Sequence, residues 1–206
     1  MSVHPNAHEL RASNATWAAK ILASDPKFFE RLAQGQQPKV LWIGCSDSRE
    51  PETTICNGIP GDIFTHRNIA NMVPPGVDCV ESVIEYAVNV VGVQDIVVAG
   101  HTKCGGVEAA WLASREPGTP RNTPVERWLV PLIELSRELR LNTLPLDRKE
   151  DAVRALTEEN VRRQLDNIRH LPFIHGALHR LSFHPWVFHL ERGVLVDITL
   201  VRVDDA

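Results

Sequence analysis

Two short stretches of the chain carry side chains able to hold a metal ion. Gly44-Cys45-Ser46-Asp47-Ser48-Arg49 follows the apolar run Val40-Leu41-Trp42-Ile43, and His101-Thr102-Lys103-Cys104-Gly105-Gly106 follows Ile96-Val97-Val98-Ala99-Gly100. Cys45, Asp47, His101 and Cys104 together offer two thiolates, a carboxylate and an imidazole. Soft sulfur combined with imidazole selects zinc over magnesium or calcium, and zinc prefers a tetrahedral site. Taken singly, Cys45 and Cys104 read as core thiols and His101 as a turn residue. Both half-motifs stand at the ends of apolar runs, however, and ligands of an open parallel sheet gather beyond the carboxyl ends of its strands, where the winding reverses. That coincidence makes a metal centre the stronger reading.

The fourth coordination position decides what such a centre does. If Asp47 takes it, the site is closed. If Arg49 instead holds the Asp47 carboxylate in a forked ion pair, water can enter, and its pKa falls from about 15.7 toward roughly 7. Two thiolates donate charge, which makes the effect smaller than with three histidines. The i, i+2 spacing of Asp47 and Arg49 puts both on one side of an extended segment.

The elements that position these residues follow from periodicity. Residues 7–22 are mostly helix formers, and Asp25-Pro26 opens a second helix to Leu32. Strands are expected at 39–44, 62–67 and 95–99, with a short helical start at 50–54. Residues 78–92 place Val80, Val83, Ile84, Ala87, Val88 and Val91 at helical spacing, and Gly92 is the stop. A helix follows Gly105-Gly106 to about Ser114. Further helices are expected at 124–139, 148–170 and 174–181, and a hairpin at 186–190 and 194–201, joined by Glu191-Arg192-Gly193. Strands alternating with helices give an α/β fold: a mainly parallel central sheet with flanking helices and a C-terminal edge hairpin. Residues 1–206 read as one catalytic domain, whose N-terminal helices, about 7–34, have enough apolar positions to pack on a partner subunit.

Composition narrows the function. A formal charge of -4 with no Lys/Arg run excludes a nucleic-acid footprint. Apolar and charged fractions of 43% and 23% are those of a globular protein, and no apolar run reaches membrane-spanning length, so no membrane partner is expected. Cys56 and Cys79, outside the metal motif, read as reduced core thiols. With no signal or transit character at the N-terminus the expected location is cytoplasmic, although a mature organellar form would read the same way. His170, His175, His179, His184 and His189 lack the thiols or compact spacing of a second metal site and read as surface residues.

Cys45-x-Asp47-x-Arg49 with His101-x-x-Cys104-Gly105-Gly106, His66-Arg67-Asn68-Ile69-Ala70-Asn71 and Ile84-Glu85-Tyr86-Ala87 closely resembles the β-class carbonic anhydrases across residues 36–107. The resemblance implies a zinc enzyme, one Zn2+ per subunit, interconverting carbon dioxide and bicarbonate. A hydroxide at the fourth position would attack the carbon while Asp47 orients it and Arg49 fixes Asp47. The resemblance also matches Gln36 to an active-site amide, Phe64, Ile69 and Tyr86 to an apolar substrate pocket, and Gly105 to a backbone N–H near the substrate. It implies a homodimer or a tetramer of dimers, with each site often built from two subunits. Trp42 and Arg67 match two residues of a regulatory bicarbonate site in some members, but Phe188 stands where a tyrosine is expected, so that regulation is not carried over. Two other functions are compatible with the same ligands: hydrolysis of carbonyl sulfide or carbon disulfide, and a non-catalytic, zinc-stabilised bicarbonate sensor. Retained Arg49 speaks against the sensor, because a permanently closed site has no use for a residue that draws Asp47 away.

Overall fold

The computed structural model describes residues 4–199. Chain contacts divide the protein into two units, Met1–Gln36 and Gln37–Ala206. The first contains α1 (Ala7–Ser24) and α2 (Phe28–Leu32). Asn6 opens α1 with a capping box: its Oδ1 accepts from the N–H groups of His8 and Glu9, and Glu9 returns a carboxylate oxygen to the Asn6 N–H. These bonds satisfy donors that a helix start leaves open. Trp17 and Phe28 each meet Phe29 edge-on, with ring centroids 5.5 and 5.1 Å apart. None of the residues of α1 is buried.

The second unit is built on five strands. β1 (Val40–Cys45) is followed by the short α3 (Glu52–Ile55), β2 (Ile63–Asn68), α4 (Asp78–Glu85), β3 (Asp95–His101), α5 (Gly105–Ser114), α6 (Pro124–Trp128), α7 (Val130–Glu138), α8 (Lys149–Arg169), β4 (Ser182–His189) and β5 (Val194–Asp197). The sheet order is β2-β1-β3-β4-β5. The first four strands run parallel, and β5 returns antiparallel to β4 with Phe188 opposite Leu195. From β1 the chain goes outward to β2 and then crosses to β3 on the other side, so the winding reverses between β1 and β3. Cys45 ends β1 and His101 ends β3, which places both at that switch point.

The apolar runs of β1 and β3 are buried on both faces, as parallel strands require. Leu41, Ile43, Ile96 and Val98 pack against Ile84 of α4 and Val161, Leu165 and Ile168 of α8. Trp42, Val97 and Ala99 form a smaller cluster with Ile55, Trp186 and Leu195 on the opposite face. A third cluster, including Trp111, Leu132 and Leu156, joins α5, α7 and α8 and reaches Cys45 and Cys104. Among the described residues no helix is long and apolar enough to cross a membrane.

Several elements differ from expectation for identifiable reasons. The helix expected at 124–139 breaks at Leu129 into α6 and α7, because Pro131 lies in the first turn of α7 and cannot donate to a preceding carbonyl. The helix expected at 78–92 turns into a π-helical segment at Tyr86–Val91, closed by Gly92 in the left-handed region at φ 81°. The stretch expected as helix at 174–181 is a 3-10 segment, Pro172–Arg180. β4 begins four residues before the expected 186 and pairs in parallel with β3 over its length, so it is an interior strand and β5 alone forms that edge. Leu200 and Val201, expected to end the hairpin, lie outside the described residues. Cys56 and Cys79 are free but exposed, correcting their expected burial: Cys56 caps the C-terminus of α3 and Cys79 stands in the first turn of α4.

Gly100 fixes how closely α8 approaches β3. A Cβ there would stand 2.8 Å from Val161 Cγ2 and 3.1 Å from Thr157 Cγ2. Gly100→Ala is therefore expected to destabilise the fold by about 1–3 kcal/mol through overpacking, seen as a lower denaturation midpoint in urea.

Candidate metal centre

Cys45, His101 and Cys104 come together in the interior, with their ligand atoms all within 4.8 Å of one another. The two sulfurs are 3.9 Å apart. Two sulfurs bound to one tetrahedral zinc at about 2.3 Å would lie about 3.8 Å apart, so the thiol pair already has the required spacing. His101 is fully buried, and its Nε2 has no hydrogen-bond partner. Its Nδ1 lies 2.9 Å from the carbonyl oxygen of Thr102 and donates to it. That bond fixes the tautomer and leaves the Nε2 lone pair facing the thiols, the arrangement expected of a metal-binding histidine. Thr102 is itself anchored: its N–H donates to Phe188 O at 3.0 Å and its hydroxyl to Glu191 at 2.6 Å. The residues present thus fit zinc by donor type, spacing and an otherwise unsatisfied buried nitrogen.

The backbone supports thiolates at both cysteines. N–H groups of Asp47 and Ala70 are directed at the Cys45 sulfur, and those of Gly106 and Val107, in the first turn of α5, at the Cys104 sulfur. The two sulfurs share a hydrogen bond, which lowers the Cys45 pKa and raises that of Cys104. Lys103, between the two C-terminal ligands, has a positive φ of 56°. This left-handed residue bends the chain so that His101 and Cys104 face one point.

Asp47 and Arg49 form the expected fork. Arg49 Nε donates to Asp47 Oδ1 at 2.9 Å and Nη2 to Oδ2 at 2.6 Å, while the Arg49 N–H also donates to Oδ1 at 2.9 Å. Arg49 Nη2 further reaches Lys103 O at 3.3 Å, tying the two half-motifs together. The Arg49 guanidinium holds the Asp47 carboxyl well below the usual carboxylate range. Asp47 Oδ2 remains 3.8 Å from His101 Nε2. Arg67 clamps the same loop from β2, donating to the carbonyl oxygens of Cys45 at 2.8 Å and Asp47 at 2.5 Å.

The remaining candidates are more dispersed. Phe64 and Tyr86 stack on each other, with centroids 5.9 Å apart, and Tyr86 is half exposed. Ile69 lies over Gly106, where a Cβ would come within 2.9 Å of Ile69 Cγ2, while space beside Gly105 is open. Gln36 is exposed at the end of the N-terminal unit. Ile69 also borders a mainly apolar cavity of about 520 Å³ that reaches Ser46, Arg67, Val80 and Trp128. Sequence spacing offered no signal for Trp128, whose indole N–H donates to Ile69 O at 2.9 Å across 59 residues. Trp42, matched to a regulatory anion site, is buried with its indole N–H unpartnered, and Phe188 is buried as well.

Comparison with known proteins gives a consistent result. Residues 40–195 match the family model described as carbonic anhydrase. A carbonic anhydrase of Emericella nidulans is 38% identical over 195 residues, covering 91% of this chain and 81% of that protein. Among solved structures, a tetrameric β-carbonic anhydrase of Sordaria macrospora superposes with a TM-score of 0.84 at 35% identity, covering 93% of this chain and 96% of that one. The Coccomyxa β-carbonic anhydrase in complex with acetazolamide gives 0.83 at 28% identity, covering 95% and 87%.

One buried acid beside the centre escaped sequence reasoning. Glu50 is fully buried, both its carboxyl oxygens lack partners, and burial pushes its pKa up to about 9 from an ordinary 4.5, with the Cys45 thiolate adding to the shift. The unfolded chain releases this proton above its ordinary pKa while the folded chain retains it. Glu50 therefore stabilises fully only below about 4.5, and that stability is lost as pH rises toward about 9. Glu50→Gln is expected to gain stability relative to the parent across that window, by at most about 1.4 kcal/mol per pH unit, measured by urea denaturation at pH 6, 7 and 8.

Proposed function

The chain belongs to the β-carbonic anhydrase family and is a carbonic anhydrase, and from this premise we propose that it hydrates carbon dioxide reversibly to bicarbonate and a proton at one zinc ion held by Cys45, His101 and Cys104, with Asp47 and Arg49 as the catalytic pair. The single observation that most supports the site is the buried, unpartnered His101 Nε2 aimed at two thiols. When bound, zinc supplies a Lewis acid that brings the pKa of a water from about 15.7 toward roughly 7.

The protein groups then have separable tasks. Arg49 keeps Asp47 ionised and turned toward it, so the carboxylate would be kept from binding a metal held by Cys45, His101 and Cys104. Asp47 accepts a hydrogen bond from the attacking water and holds its remaining lone pair toward the substrate carbon, which is positioning combined with electrostatic catalysis. The Thr102 carbonyl holds the His101 proton on Nδ1 throughout. Carbon dioxide is linear and apolar and needs walls with few polar groups. Phe64, Ile69 and Tyr86 serve as those walls, with Gln36 and the Gly105 N–H as the polar contacts. Because Phe64 and Tyr86 stack on the surface, we place them at a site shared between subunits.

A homodimer is the minimum assembly of this catalytic domain, and a tetramer built as a dimer of dimers is in keeping with the tetrameric Sordaria relative. α1 exposes Leu10, Trp17 and Leu22 and buries none of its residues, so we assign the N-terminal helices to packing on a partner subunit. Cys56 and Cys79, unpaired and outside the metal centre, suit a reducing location such as the cytoplasm.

Stopped-flow hydration from pH 6.5 to 9 on zinc-quantified protein tests the mechanism. Activity is expected to rise with pH, and Asp47→Ala to lose about 10²-fold or more in kcat/KM with its zinc content intact. Fully zinc-loaded protein inactive toward carbon dioxide but active on carbonyl sulfide or carbon disulfide, assayed in parallel, would overturn the substrate assignment. Removal of residues 1–36 is expected to reduce the number of subunits per assembly measured by light scattering; an unchanged subunit number would show that the N-terminal helices do not join subunits.

A further inference from the structure

The segment after β2 has an unusual backbone. Ala70 and Asn71 are consecutive non-glycine residues in the left-handed region, with φ of 61° and 47°, and both are buried. Such a conformation is tolerated by asparagine but opposed by the alanine Cβ, so it persists only where surrounding structure over-determines it. Here the restraint comes from α8. Asn160 Nδ2 donates to Ala70 O at 2.9 Å, and Gln164 Nε2 donates to Asn160 Oδ1 at 2.8 Å. Gln164 Oε1 accepts from the Val73 N–H at 2.7 Å, and Asn167 Nδ2 donates to Val73 O at 2.9 Å and to Gln164 Oε1 at 3.2 Å. Asn160 and Gln164 are almost wholly buried on a helix face that is apolar apart from them and Thr157. Apolar residues would pack there without the desolvation cost of two amides, so the ladder has a specific use.

The gripped segment touches both halves of the metal motif. Ala70 and Met72 share a buried cluster with Cys45 and Cys104. On the α5 side, a Cβ at Gly106 would come within 3.3 Å of Ala70 Cβ. On the β1 side, the Asn68 carbonyl accepts from the Ser46 N–H at 2.9 Å, next to Cys45. Left-handed Ala70 therefore forms a wedge between the end of β1 and the start of α5.

We infer that Asn160, Gln164 and Asn167 are positioning residues for the metal centre: their amide ladder holds the left-handed Ala70–Asn71 turn, and the turn sets Cys45 against Cys104 at the N-cap of α5. The inference rests on the zinc site proposed above and extends it to residues about ninety positions away in sequence from the turn that they hold. Because glycine adopts the left-handed region without steric cost, Ala70→Gly makes the turn less dependent on its clamp.

The test measures zinc affinity by competition with a chromophoric chelator, and the visible spectrum of the cobalt(II)-substituted protein, for the parent, Asn160→Leu, Asn167→Ala, Ala70→Gly and the two doubles that combine Ala70→Gly with each ladder change. Asn160→Leu is expected to weaken zinc binding by about 10–100-fold, the range for residues that orient metal ligands, and to alter the cobalt spectrum. Asn167→Ala is expected to show a smaller loss of the same kind. Ala70→Gly should recover much of the affinity in each double. Folded ladder variants with parental affinity and spectrum would overturn the inference, as would a loss that Ala70→Gly leaves untouched. Should Asn160→Leu fail to fold, the Asn167→Ala pair decides alone. A parent that binds no zinc would overturn the metal site itself, a result distinct from tight parental binding with indifferent variants.

Discussion

Where β1, β3 and α5 meet, the fold leaves a buried nitrogen without a hydrogen-bond partner. His101 Nε2 is buried, its ring is locked through Nδ1, and its neighbours are two sulfurs rather than hydrogen-bond donors. A buried polar atom without a partner costs free energy of about 1–3 kcal/mol, and a metal ion held there would remove that cost while neutralising two thiolates. The surrounding architecture answers this constraint. β1 and β3 deliver Cys45 and His101 to the same switch point, α5 begins at Cys104, and backbone N–H groups surround both sulfurs.

Around that point the protein uses rigid polar contacts where an ordinary core would use apolar ones. Arg67 seizes two loop carbonyls, Arg49 bridges Asp47 to Lys103 O, Glu191 anchors Thr102, and α8 extends a ladder of amides. Each bond is directional and fixes a position, whereas hydrophobic contact tolerates sliding. Among the described residues, non-glycine positive φ occurs at Asn57 and Arg140 as well, but Lys103, Ala70 and Asn71 bring it beside Cys45, His101 and Cys104. Strain concentrated beside chemistry, with the restraint drawn from the best-packed helix, is the physical signature of a preorganised site.

The chain itself determined the ligand types, the strand ends that bear them and the parallel α/β plan, because apolar runs and Cys-x-Asp or His-x-x-Cys spacing are local properties. The Asp47–Arg49 fork was legible for the same reason, being an i, i+2 pair. The break at Pro131, the π-helical turn at Tyr86 and the interior place of β4 depended on competition between local propensity and neighbours in space. Burial of Glu50, the cavity between Ile69 and Trp128, and the grip of Asn160 on Ala70 appeared only in three dimensions. No spacing rule links residues ninety positions apart. Such contacts are set when helices dock on the sheet, and docking is decided by the shape and buried area of whole faces rather than by any short run of sequence.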